Sequence, residues 1–158
     1  MIDQLISTFE YGTPQHMKLV STLYNYTEYS FESDFQAFKD QYYDEQFTNI
    51  YLFNDSEIEI HTFLEESKAY ELYLALREAK ANFFKLTKNT SAIDTDPNEV
   101  IKMYIFKSEE NYENLGSMFF NIPTSNGGIY IESAGSLYTY DRESETLPLD
   151  MLLKHEYV

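Results

Sequence analysis

The sequence contains no cysteine and no tryptophan, and only 5 glycines and 4 prolines in 158 residues. Without cysteine there is no disulfide framework, no thiolate metal site and no thiol nucleophile. Basic residues are scarce, with 11 Lys and Arg against 27 Asp and Glu, a formal net charge of −16. The acidic excess is not confined to a tail. Residues 1–55 carry 9 acids and 2 bases, 56–100 carry 9 and 5, and 101–158 carry 9 and 4. Nucleic acids and anionic membranes both require a basic face, so neither is an expected partner. No stretch approaches the roughly 20 apolar residues of a membrane span. The opening Met1-Ile-Asp-Gln-Leu-Ile6 lacks the basic region and apolar run of a signal peptide. What the chain does have is aromatic residues, 15 Tyr and 12 Phe. An acidic disordered chain would be poor in these, so a folded domain is expected.

The patterning predicts an α+β fold. Ile2, Leu5, Ile6 and Phe9 share one face at helical spacing, and Tyr11-Gly12 breaks that helix. Thr13-Pro14 restarts the chain as a cap followed by a first-turn proline, with Met17, Val20 and Tyr24 as the next apolar stripe. A third helix is expected from near Ser33, burying Phe35 and Phe38. Tyr51–Phe53 and Glu57–Ile60 read as two strands about Asn54-Asp-Ser56. The strongest helix runs from about Ser67 to Leu86, with Leu72, Tyr73, Leu76, Ala79, Phe83 and Leu86 as its buried stripe. A polar loop with Asp94 and Asp96 leads to a buried strand, Ile101–Phe106, and Ser108 caps a further helix. Ile129–Ile131 and Leu137–Tyr140 form a hairpin about Ser133-Ala-Gly135. Thr146 and Pro148 start a last helix, which is still running at Val158 with no closing cap. The expected organisation is a helical segment, residues 1–50, followed by a mixed sheet with packed helices, residues 51–158.

Few residues carry chemistry. His155-Glu156 is the front half of His-Glu-x-x-His, in which a helix presents two imidazoles one turn apart to zinc and the Glu takes a proton from water. Such a dipeptide is common by chance, and by itself it reads as an exposed pair on a solvated helix. Asn126-Gly127-Gly128 is a frequent turn signal. The same glycines also let another backbone approach the edge of Ile129–Ile131, where an extended peptide can pair. Glu132 is either a surface charge or one ligand of a hard cation, and calcium needs at least six oxygens. Asp94 and Asp96 lack the Gly and distal Glu of a calcium loop. His16 and His61 read as surface or boundary residues.

Taken together, the segments from residue 57 onward resemble the catalytic domain of bacterial collagenases of the clostridial type. The resemblance lies in Ser67-Lys-Ala-Tyr-Glu-Leu-Tyr-Leu-Ala-Leu-Arg-Glu-Ala-Lys-Ala-Asn-Phe-Phe84 and in Pro97-Asn-Glu-Val-Ile-Lys-Met-Tyr-Ile-Phe-Lys-Ser-Glu-Glu-Asn-Tyr112. It is most specific in Ser125-Asn-Gly-Gly-Ile-Tyr-Ile-Glu132, Thr139-Tyr-Asp-Arg-Glu143 and Leu152-Leu-Lys-His-Glu-Tyr157. This family is one of secreted zinc metalloendopeptidases of the His-Glu-x-x-His class that use zinc and calcium and cut collagen or gelatin-type peptides. The resemblance implies that His155 is a zinc ligand and Glu156 the general base. It places Gly127, Gly128, Ile129 and Tyr130 in a substrate edge strand and makes Glu132 a calcium ligand. It also implies the N-terminal subdomain of a thermolysin-like peptidase, an extracellular location, and residues 1–50 as the end of a helical activator-type domain. The family's second His and a Glu from a later helix, the other zinc ligands, are absent from the 158 residues, as is the C-terminal part of the peptidase domain. The expectation is therefore a fragment that ends inside the zinc motif and is inactive alone. Two other readings remain: a non-catalytic peptide-binding module that keeps the sheet and the Gly127-Gly128 edge, and a related zinc peptidase with a different substrate.

Overall fold

The computed structural model describes residues 5–26, 32–54, 57–88, 100–142 and 147–157, with the backbone alone for 32–35, 156 and 157. The described residues form five helices and five strands. In chain order these are α1 (Pro14–Tyr26), α2 (Glu32–Gln46), β1 (Asn49–Phe53), β2 (Ile58–Thr62), α3 (Glu66–Thr87), β3 (Ile101–Phe106), α4 (Glu109–Phe120), β4 (Gly128–Ile131), β5 (Ser136–Tyr140) and α5 (Leu149–Tyr157). A 3-10 turn, Glu132–Ala134, joins β4 to β5. The strands lie side by side in the order β1-β2-β3-β5-β4. The central pairs β2/β3 and β3/β5 are parallel, and the outer pairs β1/β2 and β4/β5 are antiparallel. This mixed sheet is the α+β arrangement expected from the order of elements.

The inner strands β2, β3 and β5 alternate their side chains between two covered faces, whereas β1 leaves Ile50 and Leu52 exposed. One face is aromatic: Tyr104, Phe106, Tyr138 and Tyr140 pack with Met17 and Val20 of α1, Tyr42 of α2, and Tyr112, Leu115 and Met118 of α4. The β3/β5 register sets Tyr104 beside Tyr138, and their rings stack with centroids 5.1 Å apart. The other face is aliphatic: Ile58, Ile60, Met103, Ile105 and Leu137 pack with Leu72, Tyr73 and Leu76 of α3 and Leu149 and Leu153 of α5.

Local signals explain the boundaries. Thr13 Oγ1 accepts a hydrogen bond from the His16 amide, 3.3 Å, one residue before Pro14 begins α1. Ser108 Oγ accepts from the Asn111 amide, 3.2 Å, at the start of α4, whose first turn carries Glu109 and Glu110. Gln46, at the end of α2, accepts from the Lys107 amide and from Asn111 Nδ2, which ties α2 to the start of α4.

Three expectations need correction. In the helix anticipated around residues 2–9, Leu5 and Ile6 are helical and residues 7–9 turn out of it; of its expected apolar stripe Ile6 is buried while Leu5 and Phe9 are exposed, and Ile2 lies outside the described residues. In α3 the stripe is buried through Leu76, but Phe83 and Leu86 are exposed. The helix has 22 residues, about 33 Å, against about 17 Å for five-residue strands, so its C-terminal half overhangs the sheet. His16 and His61 are both buried, not superficial. Asp94 and Asp96 lie outside the described residues.

Candidate functional site

β4 is one of the two outermost strands of the described sheet, β1 being the other, and pairs antiparallel with β5, Gly128 opposite Thr139 and Tyr130 opposite Leu137. Ile129 packs on the aromatic face and Tyr130 on the aliphatic one, so the strand is anchored on both sides. Neither Gly127 nor Gly128 has a positive φ; among the described glycines only Gly12 and Gly135 do. The tight turn suggested by Asn126-Gly127 is therefore not what these glycines serve. A Cβ on Gly127 would stand 2.7 Å from Arg142 Nη2. A Cβ on Gly128 would stand 3.2 Å from Leu152 Cδ2 and 3.2 Å from Thr139 Oγ1. The missing side chains make room for the chain's own residues behind the edge. The carbonyl of Gly127 accepts hydrogen bonds from Thr139 Oγ1, 2.9 Å, and from Arg142 Nη2.

α5 lies against β4 through the Leu152–Gly128 contact. Leu149, Leu152 and Leu153 are buried, whereas Met151 and His155 are exposed. At 3.6 residues per turn, position 156 continues the 149-152-153 row and position 155 falls at its margin. The dipeptide is thus carried one turn beyond the residue that touches the edge strand. Asp150 in the first turn and Lys154 in the last are signs the helix dipole favours. Lys154 Nζ also reaches Glu78 of α3, 3.4 Å, and Asp150, 3.9 Å.

Among the described residues no group of three His, Asp or Glu is placed to hold a metal ion. A catalytic zinc normally takes three protein ligands and a water. His155 with its neighbour Glu156 is not such a donor set, so these residues alone do not fit the ion. Glu132 is exposed and opens the 3-10 turn, where its backbone carbonyl accepts from the Gly135 amide, 3.1 Å.

The other two histidines belong to the core. His16 Nδ1 is 2.6 Å from the hydroxyl of Tyr42, which itself accepts from the Gly12 amide, 3.1 Å. In the neutral tautomer with its proton on Nε2, Nδ1 accepts the Tyr42 hydroxyl proton. Burial lowers the His16 pKa and raises that of Tyr42, which agrees with this arrangement. His61 stacks on Tyr104, 4.5 Å between centroids, and pairs through Nε2 with Glu59. Burial also raises the Tyr104 phenol. Neither histidine is brought near β4 or α5 by these contacts.

Sequence reasoning assigned no role to Arg142, Thr139 or Tyr140 beyond the resemblance. The Arg142 guanidinium lies over the Tyr140 ring, 4.1 Å from its centroid. Tyr140 donates its hydroxyl proton to Glu109 Oε1, 2.9 Å. The signal available was composition: Arg142 is the one base between Lys107 and Lys154 in an acidic segment.

Comparison with known proteins points the same way. The collagenase profile of peptidase family M9 matches residues 15–158. Collagenase ColQ1 of Bacillus cereus (strain Q1) is 30% identical over 144 residues, which are 87% of this chain and 15% of that protein. Collagenase ColA of Clostridium perfringens (strain 13 / Type A) is 31% identical over 129 residues, 78% of this chain and 12% of that protein. Collagenase ColT of Clostridium tetani (strain Massachusetts / E88) is 31% identical over 97 residues, 60% of this chain and 10% of that protein. The chain spans well under a fifth of the length of these relatives.

Proposed function

The chain belongs to the collagenase family, peptidase M9, and on that premise we propose that it forms the substrate-edge and leading zinc-helix part of a metalloendopeptidase acting on collagen or gelatin-type peptides. The single observation that carries this reading is the family match across residues 15–158. The geometry supports it, because β4 is an edge strand and the helix with His155 and Glu156 is seated against that strand.

In this reading Gly128, Ile129 and Tyr130 align an extended peptide by strand addition. His155 is a zinc ligand, and Glu156 takes the proton of the attacking water and passes it to the leaving amine. Glu132 contributes to a calcium site. The ion itself would polarise the scissile carbonyl, but the ligands described do not complete its site. An extracellular location and an activator-type origin for residues 1–50 go with the same proposal. No described helix is long and apolar enough to cross a membrane.

The test is zinc titration, gelatin hydrolysis and collagen-peptide binding on the 158-residue polypeptide. Peptide binding without turnover and without tight zinc binding is expected, because one His cannot assemble the site. Micromolar zinc affinity with turnover would contradict the partial-site reading. Absence of peptide binding would contradict the edge.

A further inference from the structure

We propose that Arg142 is a positioning residue that sets the Gly127–Gly128 peptide so that the Gly128 N–H faces the open edge of β4. This rests on the edge-strand reading above and adds the group that prepares the edge. A trans peptide is planar, with C=O and the following N–H pointing in opposite directions. The Gly127 carbonyl is held inward by Thr139 Oγ1 and Arg142 Nη2. The Gly128 N–H therefore points away from β5, toward the side on which a peptide strand would add.

The carbonyl has two donors, but they differ in kind. Thr139 is fully buried on β5 and gives one neutral hydrogen bond. Arg142 gives a charge-assisted bond, which is stronger and more directional. Its guanidinium is fixed by stacking on Tyr140, 4.1 Å from the ring centroid. Tyr140 is in turn bonded to Glu109 at the start of α4, 2.9 Å. This contact series, Glu109 to Tyr140 to Arg142 to the Gly127 carbonyl, connects the first turn of α4 with the start of the edge strand. It also gives Gly127 a reason: a Cβ there would occupy space held by Arg142 Nη2 at 2.7 Å. A flexible glycine pair without such a clamp could rotate its peptide and present a carbonyl instead of an N–H.

The experiment uses isotope-labelled 158-residue chain, Arg142→Ala and Arg142→Lys, with a single-chain (Gly-Pro-Ala)3 peptide as the probe. Three readouts are followed: the Gly127 carbonyl carbon resonance, exchange of the Gly128 amide, and peptide affinity. In the unmodified chain the Gly128 amide should exchange fast while the Ile129 amide, which strand alternation then turns toward β5, should be protected. Both variants should shift the Gly127 carbonyl upfield and weaken peptide binding about tenfold, the scale of one charge-assisted bond. Lysine keeps the charge but not the planar fork, so it should not rescue. The Tyr104 and Tyr138 amides should stay put and report an intact sheet, and Arg142→Lys serves if Arg142→Ala does not fold. An unmoved Gly127 carbonyl, a protected Gly128 amide in the unmodified chain, or undiminished affinity in both variants would overturn the proposal. Absence of peptide binding in the unmodified chain would reject the edge reading, while the carbonyl and amide signals still decide for or against Arg142.

Discussion

Leu152 Cδ2 lies 3.2 Å from the point that a Cβ on Gly128 would occupy, so the helix bearing His155 and Glu156 rests directly on the first residue of the edge strand. The neighbours of Gly128, Leu152 and Thr139, are buried in a packed layer. The Cβ of Gly127 would meet only the far end of the Arg142 side chain. Gly128→Ala should therefore destabilise the fold by about 1–3 kcal/mol through overpacking, and Gly127→Ala by less. Urea midpoints at constant m-value measure the difference. Equal losses would refute the close seating of α5 on β4.

The aliphatic layer predicts a second contrast within α5. Leu153 is fully buried among residues of α3, β3 and β5, whereas Met151, two positions earlier, is 52% exposed. Leu153→Ala should cost about 2–5 kcal/mol, and Met151→Ala should stay within about 0.5 kcal/mol. Thermal unfolding followed by circular dichroism separates them. Similar shifts would mean that α5 is not docked by this face.

The His16–Tyr42 pair predicts a pH dependence. Burial holds the folded-state pKa of His16 below its ordinary 6.5, so the neutral ring is the form the fold favours. Stability from this group is fully present above about pH 6.5 and is lost as pH falls through the folded pKa. The surroundings are Tyr42 at 2.6 Å, the Tyr11 ring at 5.4 Å, and Glu45 hydrogen-bonded to Tyr11. His16→Gln should lose less stability than the unmodified chain between pH 7.5 and 5.5, because only the histidine must charge. Equal losses in chemical denaturation at the two pH values would remove His16 from the acid response.

Much of the fold was legible because its signals are local. Ser108 and Thr13 announce helix starts, Ile58 and Ile60 alternate with glutamates, and Gly135 takes the left-handed conformation that ends the turn after β4. What was not legible depended on distance in the chain. Whether Phe83 and Leu86 are covered depends on strand length, not on the helical stripe that contains them. His16 looks polar among Gln15 and Lys18, yet a tyrosine 26 residues later satisfies its ring. At the site, the edge strand and the His155-Glu156 helix were readable as segments. The clamp on Gly127 was not, because Arg142 lies 15 residues away and acts on a backbone oxygen.

The most direct measurement of the central claim replaces the matching segment of the Bacillus cereus ColQ1 relative with residues 15–158 of this chain and assays gelatin hydrolysis. The folded chimera should hydrolyse gelatin in a zinc-dependent way. His155→Ala should lose zinc, and Glu156→Gln should retain zinc while losing turnover on the order of 10³-fold. A folded, zinc-loaded chimera without turnover, or one in which Glu156→Gln turns over gelatin at the unmodified rate, would contradict the assignment of this chain to the catalytic part of such an enzyme.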